Sequence, residues 1–455
     1  MDRRHFLGYF TAAGLGATLL PGVLYALTEK EGQLTKETLA EAERIAGLSF
    51  TDAERELMLR DLQDTIAGYD RLRAIPLANA AAPALGFDPT RGGEGGGLAR
   101  RAPALADESV DLARLYSLPP YRVAYRGRAR WSKVETPLPP VQLEDLAFRP
   151  VTELAKLLRE RKLTSLDLTR LYLARLKRCD PALHCVVTLM EERALAAARR
   201  ADEEAARGDW RGPLHGVPYG IKDLFAARGA RTTWGGKPYE EQTLDLDATV
   251  VRKLDEAGAV LLAKLSCGAL AWGDVWFGGT TRNPWNLEQG SSGSSAGSAS
   301  AVAAGLCGFA IGTETYGSIV SPSTRCGTTG LRPTFGRVSR WGCMALSWSL
   351  DKVGPIARSV EDCALVFDAI RGPDGLDADV ADAPFPFDAR REPKDLRRLR
   401  VGYLAKAVKA AGWPVDADLA AGLSVVPIAL IVALGIRHIR EGIKRRLGAG
   451  GPNHD

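Results

Sequence analysis

The run of apolar and polar positions divides the chain into a helical N-terminal part, an aperiodic stretch and a long alternating part. Between residues 33 and 80 it predicts two helices. Thr51-Asp52-Ala53-Glu54 is a capping box: the hydroxyl takes an orphan amide, and the carboxylate three residues on reaches back. Beyond it Met58, Leu62, Ile66, Tyr69 and Leu72 recur every three or four residues, marking one apolar face that Pro76 ends. Periodicity is then lost, and Gly92-Gly93-Glu94-Gly95-Gly96-Gly97 marks residues 86–142 as a linker. A globular domain begins near Leu143 and is expected to span 143–413. Leu154, Leu157 and Leu158 have helical spacing, as do Leu168, Leu171, Tyr172 and Leu176 after Thr164, and a further helix is predicted from Glu191 to Arg207. Short β-type runs follow at 216–221, 259–263 and 309–311. Helices alternating with short apolar strands predict an α/β domain whose sheet is largely buried.

Composition narrows this reading. The chain has 455 residues, 45% apolar and 25% charged, enough for one large domain with smaller appendages. The 60 basic and 55 acidic residues are interspersed without a basic, aromatic-rich stripe, so no nucleic-acid partner is expected. Seven cysteines contain no Cys-x-x-Cys pair and five histidines show no ligand spacing, so neither a metal nor another cofactor is expected.

The two ends carry their own signals. Arg3-Arg4-His5-Phe6-Leu7 leads into an uncharged run to Leu27, which looks like a twin-arginine export signal over residues 1–30. An exported protein, periplasmic or membrane-associated, is the expectation. Near the other end an uncharged run from Leu419 to Ile436, interrupted by Pro427, precedes Arg437, Arg440, Lys444, Arg445 and Arg446. Residues 414–455 have two readings: a membrane anchor with a basic cytoplasmic flank, or a truncated end that leaves the sheet incomplete.

Three segments carry candidate chemistry. In the first, Gly216-Val217-Pro218-Tyr219-Gly220-Ile221-Lys222-Asp223, an apolar strand ends in lysine; such a lysine is ordinarily a solvated charge. The second, Gly290-Ser291-Ser292-Gly293-Ser294-Ser295-Ala296-Gly297-Ser298, has the composition of a linker but feeds directly into a small-residue helix. Such a loop brings backbone amides and hydroxyls close to a ligand. The third, Gly312-Thr313-Glu314-Thr315-Tyr316-Gly317-Ser318-Ile319, places a serine after glycine in a turn, where successive amides can point at one spot.

Together these motifs resemble the amidase-signature family of serine hydrolases. The match continues through Asn283-Pro284-Trp285-Asn286, Gly330-Leu331-Arg332-Pro333-Thr334-Phe335-Gly336 and Leu350-Asp351-Lys352-Val353-Gly354-Pro355-Ile356. The resemblance implies a mixed, largely buried β-sheet flanked by helices, and an amidase acting on a small-molecule amide through an acyl-enzyme. It makes Ser318 the nucleophile, Lys222 the base, and Ser294, after a cis peptide bond, the relay between them. The backbone amides of Thr315, Tyr316, Gly317 and Ser318 would form the oxyanion hole. Residues 33–80 look like the small helical C subunit of the tRNA-dependent amidotransferase, or are a generic amphipathic helix pair. Three departures stand in the nucleophile turn, where the family usually has Asp, Gly and Arg at the positions of Glu314, Tyr316 and Val320. Tyr316 is expected to narrow or reshape the acyl pocket while its backbone amide still donates, and Arg325 is the candidate replacement partner for Glu314. His215 is read as a packing residue in the entering strand. Two further functions stay open: the glutaminase-like A subunit of an amidotransferase, and a truncated, non-catalytic relative.

Overall fold

The computed structural model describes residues 34–74, 130–135, 137 and 142–390. The export signal at 1–30, most of the 86–142 stretch, the 391–413 end of the expected domain and the 414–455 tail lie outside the described residues. Among the described residues, no helix is long and apolar enough to cross a membrane. The chain forms two compact units that divide between Ala84 and Leu85.

In the first unit, helix α1 (Lys36–Ala46) starts where Thr35 Oγ1 accepts the Thr38 N–H, and ends at Gly47 with φ of 68°. Helix α2 (Asp52–Arg73) starts at the capping box, with Thr51 N–H to Glu54 Oε2 at 2.7 Å and Glu54 N–H to Thr51 Oγ1 at 3.3 Å. The Arg55 guanidinium forks onto Glu43 at 2.9 and 2.7 Å, joining the two helices. Of the expected apolar face, Met58, Leu62 and Ile66 are half-buried, whereas Tyr69 is exposed.

The second unit is built on a six-stranded sheet. Its strands are β1 (Val186–Leu189), β2 (Pro218–Lys222), β3 (Val260–Leu265), β4 (Phe309–Glu314), β5 (Thr329–Gly330) and β6 (Lys352–Ala357). They lie in the order β1-β3-β2-β4-β6-β5. The inner three are parallel and the outer pairings antiparallel, so the sheet is mixed. Strands β2, β3 and β4 are buried at every residue, which is why each reads as an apolar run; each also carries one charged residue at or next to its carboxyl end, Lys222, Lys264 and Glu314. Tyr219 and Phe309 are register partners whose rings stack at 5.2 Å.

Seven α-helices are described in this unit: α3 (Val151–Arg159), α4 (Ser165–Leu183), α5 (Glu191–Arg207), α6 (Thr249–Glu256), α7 (Ala296–Ala303), α8 (Val320–Cys326) and α9 (Val360–Ile370). Helix α7 packs across β2, β3, β4 and β6, and its small residues allow close approach to the sheet. Two arginines close its C-terminal end. Arg175 donates to the carbonyls of Gly305 and Ala304 at 2.7 and 2.9 Å, and Arg358 to those of Val302 and Cys307 at 3.3 and 2.9 Å.

Two expectations need correction. Residues 130–135 fell within the compositional linker, yet they join the domain. Arg130 exchanges backbone bonds with Phe387 and Ala389, the Ser132 amide and hydroxyl both meet the Glu361 carboxylate at 2.7 Å, and Trp131 packs on Phe387. Six residues are too few for composition to reveal this. His215 lies in the turn before β2, not in the strand. There it is buried, packs on Trp210 and donates from Nε2 to the Ala201 carbonyl, as a structural histidine does.

Just past β2, Asp223 meets Lys264 of β3 at 2.6 Å, and both side chains are fully buried. Lys264 also donates to the Arg231 carbonyl and Thr232 Oγ1, while Asp223 accepts the Thr233 amide, so every charge is hydrogen-bonded. Asp223→Ala would strand the lysine without its counter-charge. It is expected to cost about 3–5 kcal/mol in denaturant unfolding; a loss under about 1 kcal/mol would show that the pair does not anchor the strand end.

Candidate active site

Lys222 is the last residue of β2, at the carboxyl ends of the parallel strands, where open α/β sheets bind ligands. Ile221 and Lys264 are register partners, as are Lys222 and Leu265. Alternation along a strand therefore sends Lys222 and Lys264 to opposite faces. Both are completely buried, but their surroundings differ. Lys264 has a carboxylate, whereas Lys222 is met by hydroxyls: Nζ donates to Ser294 Oγ and Thr313 Oγ1 at 2.8 Å each and to Ser295 Oγ at 3.2 Å. Among the described residues Lys222 has no ion pair. Burial, the dominant cause, pushes the Lys222 amine down from 10.5 to about 8.

Ser294 reaches this amine from the loop before α7, and the Gly293–Ser294 peptide bond is cis, as the family resemblance implies. Its neighbour Ser295 accepts the Thr313 amide at 3.2 Å and donates to the Thr313 carbonyl at 3.0 Å, stitching the loop to β4. Ser318 stands in the turn between β4 and α8. The Ser295 N–H donates to the Ser318 carbonyl at 3.1 Å, so the two serine-bearing segments touch through backbone. Among the described residues, no hydrogen bond joins the Ser318 and Ser294 hydroxyls. The structure thus brings Lys222 and Ser294 into direct contact and sets Ser318 beside them, one link short.

The turn itself is organised by Glu314. Its Oε2 accepts the amides of Ile319 and Val320 at 2.8 and 2.9 Å. The preceding amides, those of Tyr316, Gly317 and Ser318, have no acceptor among the described residues. Thr315 is held by its side chain on Asp351 at 2.6 Å and by its carbonyl, which accepts from Lys352. Gly317 has φ of 101°, a conformation that L side chains rarely adopt. This leaves a run of uncommitted donors beside a serine hydroxyl, the arrangement needed to hold an oxyanion.

A cavity of about 550 Å³ opens here, lined by Trp272, Asp274, Gly293, Tyr316, Ser318 and Arg325 among others. Tyr316 does not fill it: the residue is 96% exposed, and its ring stands out in solvent at the mouth. The partner of Glu314 is also other than expected. Arg332, 3.4 Å away, takes that place, and Arg325 instead faces the cavity. Arg332 leaves β5 toward the turn, a proximity that sequence spacing does not reveal. The Thr313 and Ser295 contacts to the lysine were equally hidden, although Thr313 lies in the same motif as Ser318.

The model of the family described as Amidase matches residues 167–424. The chain belongs to the amidase family. Among its curated relatives, the A subunit of the glutamyl-tRNA(Gln) amidotransferase of Methylococcus capsulatus is 44% identical over 257 residues. That alignment covers 56% of this chain and 53% of the relative. The protein of the same name from a Roseiflexus species is 46% identical, covering 53% and 50%. The chain thus spans about half the length of the curated relatives it matches. The native peptide amidase of Stenotrophomonas maltophilia superposes with a TM-score of 0.56 at 38% identity, covering 62% of each chain. Fatty acid amide hydrolase gives 0.52 at 25% identity, covering 58% of this chain and 48% of its own.

The lowered pKa of Lys222 has a consequence for stability. Below about pH 8 the folded chain carries a buried charge that burial disfavours. Between about 8 and 10.5 the unfolded chain keeps a proton that the folded one has released, so stability rises with pH and then levels off. Lys253, also lowered to about 8 by burial, adds its own rise. The test is therefore the difference between wild type and Lys222→Met in urea midpoint from pH 7 to 11. Wild type is expected to gain on the variant by about 3 kcal/mol across the window; parallel curves would show that Lys222 titrates normally.

Proposed function

We propose that the chain hydrolyses the C–N bond of a small carboxamide through Ser318, Ser294 and Lys222. The observation that carries this reading is the contact of a buried, unpaired lysine amine with Ser294 at 2.8 Å beside the Ser318 turn. The names of the solved relatives, peptide amidase and fatty acid amide hydrolase, support the reaction class.

A serine hydroxyl is a weak nucleophile and needs a base within reach. In the proposed first step, neutral Lys222 Nζ takes the Ser294 proton while Ser294 Oγ takes that of Ser318. Ser318 Oγ attacks the amide carbonyl carbon, and the developing oxyanion is received by the backbone amides of Thr315, Tyr316, Gly317 and Ser318. The proton returns through Ser294 to the departing nitrogen, the C–N bond breaks, and ammonia or an amine leaves. Water then attacks the Ser318 ester by the same relay, releasing a carboxylic acid. Neither a metal nor another cofactor takes part in this cycle.

Residues 1–30 favour export, placing the activity in the periplasm or at a membrane. A second reading, the A subunit of an amidotransferase, releasing ammonia from an amide for a partner, is favoured by the names of the curated relatives. Fractionation separates the two: an exported protein has no access to charged tRNA, while a cytoplasmic one favours the amidotransferase reading.

A fluorophosphonate probe is expected to label wild type at Ser318 and to leave Ser318→Ala unlabelled. Ammonia release from a panel of small carboxamides is expected to fall by about 10³-fold or more in Ser318→Ala, Ser294→Ala and Lys222→Met. The rate should climb with pH and level off above about 8, as Lys222 becomes neutral. Labelling at a different serine, or variants as active as wild type, would remove this assignment.

A further inference from the structure

The gap between Ser294 and Ser318 must be held by something other than a bond between them, and the structure shows a clasp beside it. The Ser292 N–H donates to Asp274 Oδ2 at 2.7 Å, and Ser292 Oγ lies 2.7 Å from Ser321 Oγ, three residues beyond Ser318. Ser292 therefore ties Asp274 on one side to the first turn of α8 on the other, where the Ser321 N–H donates back to the Gly317 carbonyl of the Ser318 turn at 2.7 Å. The Asp274 carbonyl accepts the Thr281 amide at 3.0 Å, and the Thr281 carbonyl accepts the Ser291 amide at 2.8 Å, so backbone bonds reinforce the same strip.

The fit is steric as well. A Cβ on Gly293 would lie 1.7 Å from the Gly273 carbonyl oxygen, and one on Gly290 would lie 2.1 Å from Asp274 Oδ2. At Gly293 the obstacle is backbone, so that residue is moulded against Gly273; at Gly290 a side chain would instead push the Asp274 carboxylate out of its place. The next residue is Ser294. A carboxylate accepting a backbone amide forms a charge-assisted bond, stronger than a neutral one.

We infer that Asp274 is a positioning residue: through Ser292 and Ser321 it sets the separation of the Ser294 loop and the Ser318 turn, and so the span the relayed proton crosses. This rests on the roles proposed for Ser294 and Ser318. Asp274 lines the cavity, but the clasp, not substrate contact, is the role assigned. Displacing catalytic groups by about 1 Å costs on the order of 100-fold in rate.

The test uses the full chain with Asp274→Ala, Asp274→Asn and Ser321→Ala. Each variant's fold is checked by circular dichroism and thermal melting. Steady-state amide hydrolysis, its pH profile and the rate of fluorophosphonate labelling are then measured. Asp274→Ala is expected to lower kcat and the labelling rate about 10- to 100-fold, with KM and the pH midpoint unchanged. Asn keeps an oxygen acceptor for the Ser292 amide and should restore most of the rate. Ser321→Ala, which cuts the clasp from its other side without touching Asp274, should lower kcat in the same direction. The inference is overturned if KM rises at constant kcat, if the pH midpoint moves, if Asn is as impaired as Ala, or if both Asp274→Ala and Ser321→Ala are as fast as wild type. Wild type that hydrolyses no amide and takes no label at Ser318 defeats the underlying functional reading instead. A variant that fails to fold leaves the decision to the other two.

Discussion

The arrangement depends on keeping one lysine amine out of water without giving it a carboxylate. Lys222 and Lys264 lie on neighbouring strands, equally buried, and sheet alternation turns them to opposite faces. Lys264 finds Asp223, and its charge is matched. Lys222 finds Ser294, Ser295 and Thr313, which offer oxygen atoms but no negative charge. A close counter-charge would hold the proton in place; hydroxyls alone leave burial as the stronger influence. The same strand end thus carries a structural lysine pair and a lysine poised to lose its proton.

Glu314 plays the complementary part at the other wall. By accepting the amides of Ile319 and Val320 it fixes the start of α8, while the three amides before them remain without acceptors among the described residues. Gly317 and Ser318 are half-buried, and a partly buried donor without a partner is costly, so these amides invite a ligand oxygen. The glutamate, one methylene longer than the aspartate usual in the family, still reaches both amides. It also meets Arg332, which takes the place of the arginine lost at Val320.

Much of the fold was legible because parallel strands buried on both faces read as apolar runs and because helix caps have local signatures. The Glu191–Arg207 helix and the Thr51–Glu54 capping box needed only neighbouring residues to be seen. Lys222, Ser294 and Ser318 were legible only in combination, since each alone has a more ordinary explanation. What stayed hidden depends on chain segments far apart in sequence: Thr313 turning toward Lys222, Arg332 crossing to Glu314, Asp274 gripping Ser292, and residues 130–135 joining the sheet domain. Tyr316 shows a finer limit: its residue type suggested a narrowed or reshaped acyl pocket, and it does line the cavity, but the residue is almost wholly exposed.

The most direct test of Lys222 as the base is an NMR titration of its side-chain nitrogen in protein labelled with 15N-lysine, assigned by comparison with Lys222→Met. A midpoint near 8 is predicted, well below that of the exposed lysines. A midpoint at or above 10.5 would mean that the amine keeps its proton through the whole pH range in which the rate is expected to climb, and it could not serve as the proposed base.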